Sequence, residues 1–303
     1  MARLADRLRA NLLSTLTGEP DGRPYWVDKI ESGSDQGFFA PGSATWTVHG
    51  GIPTMVAGIR ALLMQTLHPG AMAGVHDHSR FREDALGRLA GTVQWLTIVT
   101  FGDTHLAREE TARVARFHER VRGTYLDKTG VERPYAANDP ELLSWVHIVF
   151  ADAFLGCHEL WGKPIPGGPD AYVREWAIAA ELLGIPDPPR SEAELQAQLH
   201  AFNRTGVLHH DERVEAAVSF IRNPPLKRSM MPAYRIMFAA AVKSIPAEYR
   251  RVLGLKATRL PAIWATGVLL GSLRMLLGGS APAEEAARAR LARIASAHPL
   301  PSA

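Results

Sequence analysis

Through most of this chain apolar residues return at three- and four-residue steps, and alternating β-branched runs bounded by tight turns do not recur. A period near 3.6 marks helices that bury one face, whereas strands need a period of two. The spacing predicts helices over residues 2–16, 53–67, 82–101, 104–125, 139–161, 168–184, 191–204, 209–221, 233–244, 246–254, 258–278 and 282–297. Residues 17–52, rich in Gly, Pro, Ser and Asp, read as an irregular segment. The helix at 139–161 carries its own start signal. Asp139 can cap it, Pro140 suits its first position, and Glu141 complements its positive end. Breaks such as "GKPIPGGPD", "GIPDPPRSE" and "RNPPLKR" separate the later helices, and no stretch looks like a free linker. The expected fold is all-α: a single domain over residues 1–303, with a core at about 40–162 and a further helical layer over 163–303.

A hydrophobic content of 46% in 303 residues suffices for a large core. The net charge of +3 and the lack of a long basic run give no warrant for a nucleic-acid partner. One cysteine, Cys157, excludes an internal disulfide and suits a reducing compartment. The opening "MARLADRLRANLLSTL" reads as an amphipathic helix and not as a secretory signal, so the expected location is cytoplasmic. The most apolar window, Leu260 to Gly279, approaches the length of a bilayer span but contains Pro261, Arg274 and several glycines. It reads as a buried or surface-lying helix, with loose membrane contact left open.

Histidines carry the candidate chemistry. His76, Asp77 and His78 could supply ligands to a hard or borderline metal ion, although no HExxH or paired ExxH motif accompanies them. The competing reading has His78 and Ser79 bracing the following helix. Arg88 and Thr92, four apart, share a helical face with apolar neighbours, as either a pair at a buried site or a surface arginine with a back-bonding threonine. In "ARVARFHERVRGT", His118 stands among Arg113, Arg116, Arg120 and Arg122. A flat metal cofactor would want a neutral imidazole nitrogen and basic residues for its carboxylates. A structural histidine on a charged face fits the same spacing. His147, Phe154 and the nearby Trp145 could wall a pocket or be plain core. Cys157 reads as a small buried side chain rather than a thiolate ligand.

Three stretches occur in order between about Ala40 and Gly162: "GIRALLMQTLHPGAMAGVHDHSRFREDALGRLAGT", "ARVARFHERVRGT" and "YAANDPELLSWVHIVFADAF". Together they resemble the MpaB and rubber-oxygenase (latex-clearing protein-like) catalytic domain family. The resemblance implies a helical, globin-like core that binds haem b and uses dioxygen on an apolar organic substrate of small or medium size. By the same resemblance, "RFHERVR" makes His118 the proximal iron ligand, and "RLAGT" puts Arg88 and Thr92 on the distal side. Trp145, His147 and Phe154 then become walls of the substrate space, with Arg122 beside the cofactor. Three departures count against rubber cleavage itself: the family's lysine before the threonine is Gly91 here, its pocket glutamate cannot be placed, and the secretion signal expected of a polymer-degrading enzyme is not seen. A non-catalytic haem-binding or haem-sensing protein, and a non-haem metalloenzyme using His76, Asp77 and His78, stay open as alternatives.

Overall fold

The computed structural model describes residues 24–78, 85–277 and 280–297, the side chains of residues 85–89 and 277 excepted. Among them are fourteen helices and one two-stranded sheet, so the fold is all-α. In chain order come α1 (Tyr25–Ser32), α2 (Ala44–His49), α3 (Thr54–Gln65), α4 (Pro69–His78), α5 (Ala85–Phe101) and α6 (Thr104–His118). A hairpin of β1 (Arg122–Leu126) and β2 (Glu132–Ala136) follows, then α7 (Pro140–Trp161), α8 (Gly168–Leu182), α9 (Glu192–Thr205) and α10 (Glu212–Arg222). The last helices are α11 (Met231–Ser244), α12 (Ala247–Val252), α13 (Ala262–Leu277) and α14 (Pro282–Ala297).

The long helix α7 is the axis of the molecule. Trp145, Ile148, Val149 and Ala153 are wholly buried along it, and α3 lies against it for much of its length. Helix α3 is apolar on more than one face, which is possible because α11 covers the side turned away from α7. On α7's other flanks sit α8 and α9, with α2 between α8 and α5. Helices α1 and α14 pair with each other, and the fully buried Arg290 on α14 donates to the Ile30 carbonyl at 2.8 Å. One apolar cluster runs from Val27 to Ala287. Among the described residues, α7 is the helix long and apolar enough to cross a membrane, and 67% of its most apolar window is buried inside the protein.

The structure departs from the spacing in four places. The expected helix at 104–125 stops at His118, and the chain turns into the β1–β2 hairpin, paired antiparallel from Arg122 opposite Ala136 to Leu126 opposite Glu132. Its turn is built by Asp127, whose carboxylate accepts from the Thr129 amide (2.9 Å), the Thr129 hydroxyl (2.6 Å) and the Val131 amide (3.1 Å). Gly130 supplies the left-handed φ of 81° that this turn requires. Residues 17–52 are not wholly irregular, because α1 and α2 form within them, the latter capped by Ser43. Helix α4 also escaped the periodicity; Pro69 opens it, where its missing N–H costs nothing. Asp139 does not cap α7 but accepts from the Ala136 amide at 2.8 Å, tying the hairpin to the helix start. The expected helix at 2–16 lies outside the described residues.

Candidate active site

Helices α5 and α6 form an antiparallel hairpin closed by a tight turn, in which Asp103 caps α6 by accepting from the Leu106 amide at 2.8 Å. Midway along the pair, the Trp95 indole N–H donates to the Thr111 hydroxyl at 3.2 Å, so those two positions face each other. Position 88 lies seven residues before Trp95, and His118 lies seven after Thr111. Seven residues are nearly two turns, about 10 Å of rise and a rotation that returns almost to the starting face. Positions 88 and 118 therefore stand at one height on the facing stripes of the hairpin, at its open end. Thr92, half-buried, sits one turn nearer the contact, level with Val114. The Arg88 side chain lies outside the described residues.

His118 is the last residue of α6 and is half-buried. Its helix end is held by Asn138, whose amide donates to the Ala115 carbonyl at 3.2 Å. Next to it the Phe117 ring, 6.2 Å away, is 56% exposed, an apolar side chain at a helix end that faces solvent. A Cβ placed on Gly91 would meet no atom within 4 Å, so the α5 backbone beside Thr92 is open to approach. Arg116 and Arg120 are exposed beside His118. An imidazole, an exposed aromatic ring, an uncrowded α5 backbone and two exposed arginines thus belong to this end of the hairpin. Arg122 is not part of a helical face with His118. It opens β1, is exposed, and its Nε donates to the Glu119 carbonyl at 3.1 Å, because the helix ends at His118, four residues before it.

The α7 residues do not wall one space. Trp145 points toward α3 and α9, donating to the Gln65 carbonyl at 3.2 Å with the Phe202 ring 5.1 Å away. His147 and Phe154 are about half a turn around the helix from it and face α2 and α8. His147 lies parallel to Trp176 at 6.4 Å, and Phe154 meets the His49 ring at 5.0 Å. Trp176 in turn touches Trp95 at 6.0 Å, which connects His147 to the α5–α6 hairpin through two indoles. Burial pushes the His147 imidazolium down to about 4, so the ring is neutral at pH 7.

His49 was not singled out by its spacing, yet it is the best-satisfied imidazole in the core. Thr100 donates its hydroxyl proton to the Leu96 carbonyl at 2.7 Å, so it can only accept from His49 Nδ1 at 2.8 Å. Nε2 must then accept from the Tyr172 hydroxyl at 3.0 Å. Burial, with His158 nearby, holds the His49 imidazolium down to about 3. A second buried polar group, the Arg60–Asp152 ion pair, was equally silent in the sequence; Gln196 donates to the same carboxylate at 3.0 Å. Both networks join residues more than ninety positions apart, so no local motif could have announced them.

His76, Asp77 and His78 do not converge. His76 Nδ1 meets the Asp77 carboxylate at 2.9 Å, whereas His78 turns away to donate from Nε2 to the Arg122 carbonyl at 2.7 Å. Asp77 is also approached by the Tyr135 hydroxyl (3.4 Å) and Arg213 (3.9 Å). Among the described residues no three His, Cys, Asp or Glu side chains gather as metal ligands. Cys157 is fully buried, and burial raises its thiol to about 11, which keeps it protonated. Surface depressions of about 550 and 210 Å³ open elsewhere, and no lining residue of either lies on α5 or α6.

Comparison with known families identifies the domain as an oxygenase catalytic domain, and so as an oxidoreductase. The family is the one described as ER-bound oxygenase mpaB/B'/Rubber oxygenase, catalytic domain; it matches residues 46–295, and this chain belongs to it. No curated protein and no solved structure matches the chain.

Proposed function

We propose that the protein is a haem b-dependent oxygenase that uses dioxygen on an apolar organic substrate of small or medium size. The carrying observation is the heptad relation across the α5–α6 hairpin, which sets position 88 and His118 level on facing stripes, with the exposed Phe117 ring 6.2 Å from the His118 ring. His118 would hold the iron through one ring nitrogen. Exposed Arg116 and Arg120 would meet the propionates. When bound, haem supplies an iron centre able to activate dioxygen, and that chemistry is the cofactor's own. Arg88 would offer hydrogen bonds to negative charge developing on the distal side, a contribution that grows as water is excluded. The Thr92 hydroxyl, three residues from Trp95, would orient the reacting group or a water molecule. Phe117 would lie against the porphyrin edge or the substrate.

His118→Ala should leave the fold intact, because the residue ends its helix, but should abolish haem retention in protein expressed with haem supplied. The check is an absorption spectrum, oxidised and then reduced under carbon monoxide. Full haem content with an unchanged spectrum would move the ligand elsewhere. Six-coordinate bis-histidine spectra without oxygen reactivity would favour a haem-binding protein that performs no oxygenation.

A further inference from the structure

We infer that the outward face of α13 is a docking surface for an anionic lipid bilayer, on which the protein rests without crossing it. The inward face of this helix is accounted for. Ala262, Thr266 and Leu270 are buried against α11 and α7. Thr266 donates to the Ile236 carbonyl at 3.3 Å, and Trp161 donates to the Ile263 carbonyl at 3.0 Å. The opposite face is also apolar. At 100° per residue Trp264, Val268 and Met275 fall within about 40° of one another. They are 71, 52 and 82% exposed, and Leu260, just ahead of the helix, is 71% exposed. Isolated apolar side chains on a surface are ordinary, but a straight row along a whole helix is a contact face.

Charge identifies the partner. From Arg222 to Gly278 the sequence holds ten Lys and Arg against one acidic residue, although the whole chain carries only +3. The single carboxylate, Glu248, is turned toward α9, where it meets Asn203 (3.2 Å) and His200 (3.3 Å). Helices α11 and α13 run antiparallel, as the Thr266–Ile236 and Lys243–Leu260 contacts require. Lys256 and Arg259 therefore lie at one end of the apolar row, and Arg274, Lys227 and Arg228 at the other. A second copy docked face to face would oppose two such cationic surfaces, which is repulsive. An anionic leaflet attracts them, at about 1 kcal/mol for each basic residue near the surface. Sixteen residues of helix span about 24 Å, short of a hydrocarbon core of about 30 Å, and one side is already packed against protein. The helix lies along the interface, with Trp264 and Met275 entering it.

The test is flotation of the full chain with vesicles of phosphatidylcholine alone or mixed with phosphatidylserine, at low and high salt. Binding should appear on the anionic vesicles and fall as salt rises. Trp264→Glu with Met275→Glu should lower it at least about tenfold, and Lys256→Glu with Arg259→Glu should lower it by a similar factor. All four side chains are exposed, so circular dichroism and melting temperature should not move; Trp264→Ser supplies a variant with no added charge. Three results would overturn the proposal: no flotation on anionic vesicles, equal and salt-independent flotation on both kinds, or retained binding by the Trp264 and Met275 variants. A dimer seen by light scattering and dissociated by Trp264→Glu, without vesicle binding, would assign the face to a second copy.

Discussion

Arg60 and Asp152 are the residues through which α3, α7 and α9 share one buried charge pair, and both are almost without solvent contact. Desolvating two ions costs several kcal/mol each, which mutual attraction offsets only while both are present. Arg60→Met should therefore destabilise the protein by about 3–5 kcal/mol, since the Asp152 carboxylate would keep only the Gln196 amide. Arg60→Met with Asp152→Leu should recover much of that loss. Urea unfolding of the two variants checks the order, and equal losses would show that the pair's packing matters more than its charge. On the proposed haem-dependent function, Arg88→Ala should leave haem content unchanged yet slow oxygen-dependent turnover by about 10²–10³-fold, read from the absorption spectrum and oxygen uptake. His118, Arg88 and Thr92 could be singled out as candidates because each lies in a short local stretch, although the spacing left their roles open and only the family resemblance assigned them. Arg60, Asp152, His49 and Tyr172 were not, because each finds its partner far along the chain.

The α5–α6 hairpin brings the candidate site's two halves to one level, and the Trp95–Thr111 hydrogen bond ties the helices together midway between the turn and that level. Thr111 accepts from the Trp95 indole while donating its own proton to the Ala107 carbonyl at 2.8 Å. Thr111→Val would leave a part-buried indole N–H without its acceptor, at a cost of about 1–3 kcal/mol. Trp95→Phe removes the donor instead and leaves the threonine satisfied by Ala107, so its hydrogen-bond cost should be smaller. If the hairpin sets the height of His118, Thr111→Val should also weaken haem retention, measured by transfer to apomyoglobin. Unchanged transfer rates would detach the register from the site. The helices themselves were largely readable, since a 3.6-residue period survives wherever one face is buried. Their ends were less so. At 118–126 the apolar spacing of Val121 continued the helical pattern, while the Asp127 turn and Gly130 imposed a hairpin that periodicity does not see. That boundary is what takes Arg122 off the helical face it was expected to share with His118.

At the scale of the whole molecule, the same core that makes the fold possible should make it acid-sensitive. His49 and His147 are held neutral by burial, with folded-state values of about 3 and about 4 against an ordinary 6.5. Below 6.5 the unfolded chain takes up protons at these positions that the folded core refuses, so stability is complete above that pH and declines as pH falls. Each group contributes a slope of about 1.4 kcal/mol per pH unit, running down to its own folded value, so the two together should cost about 2–3 kcal/mol per unit between pH 6 and 4. Carboxylates add to this at the acid end, which makes a substitution the cleaner probe. Buried His68 and His158 are shifted in the same direction. His147→Phe keeps a flat ring beside Trp176 while removing one titrating site, so it should reduce the slope by about 1 kcal/mol per pH unit between pH 6 and 5. Urea midpoints at successive pH values, with and without the substitution, measure that difference. Superimposable slopes would mean that His147 is protonated in the folded protein, and that its face of α7 is wetter than its burial implies.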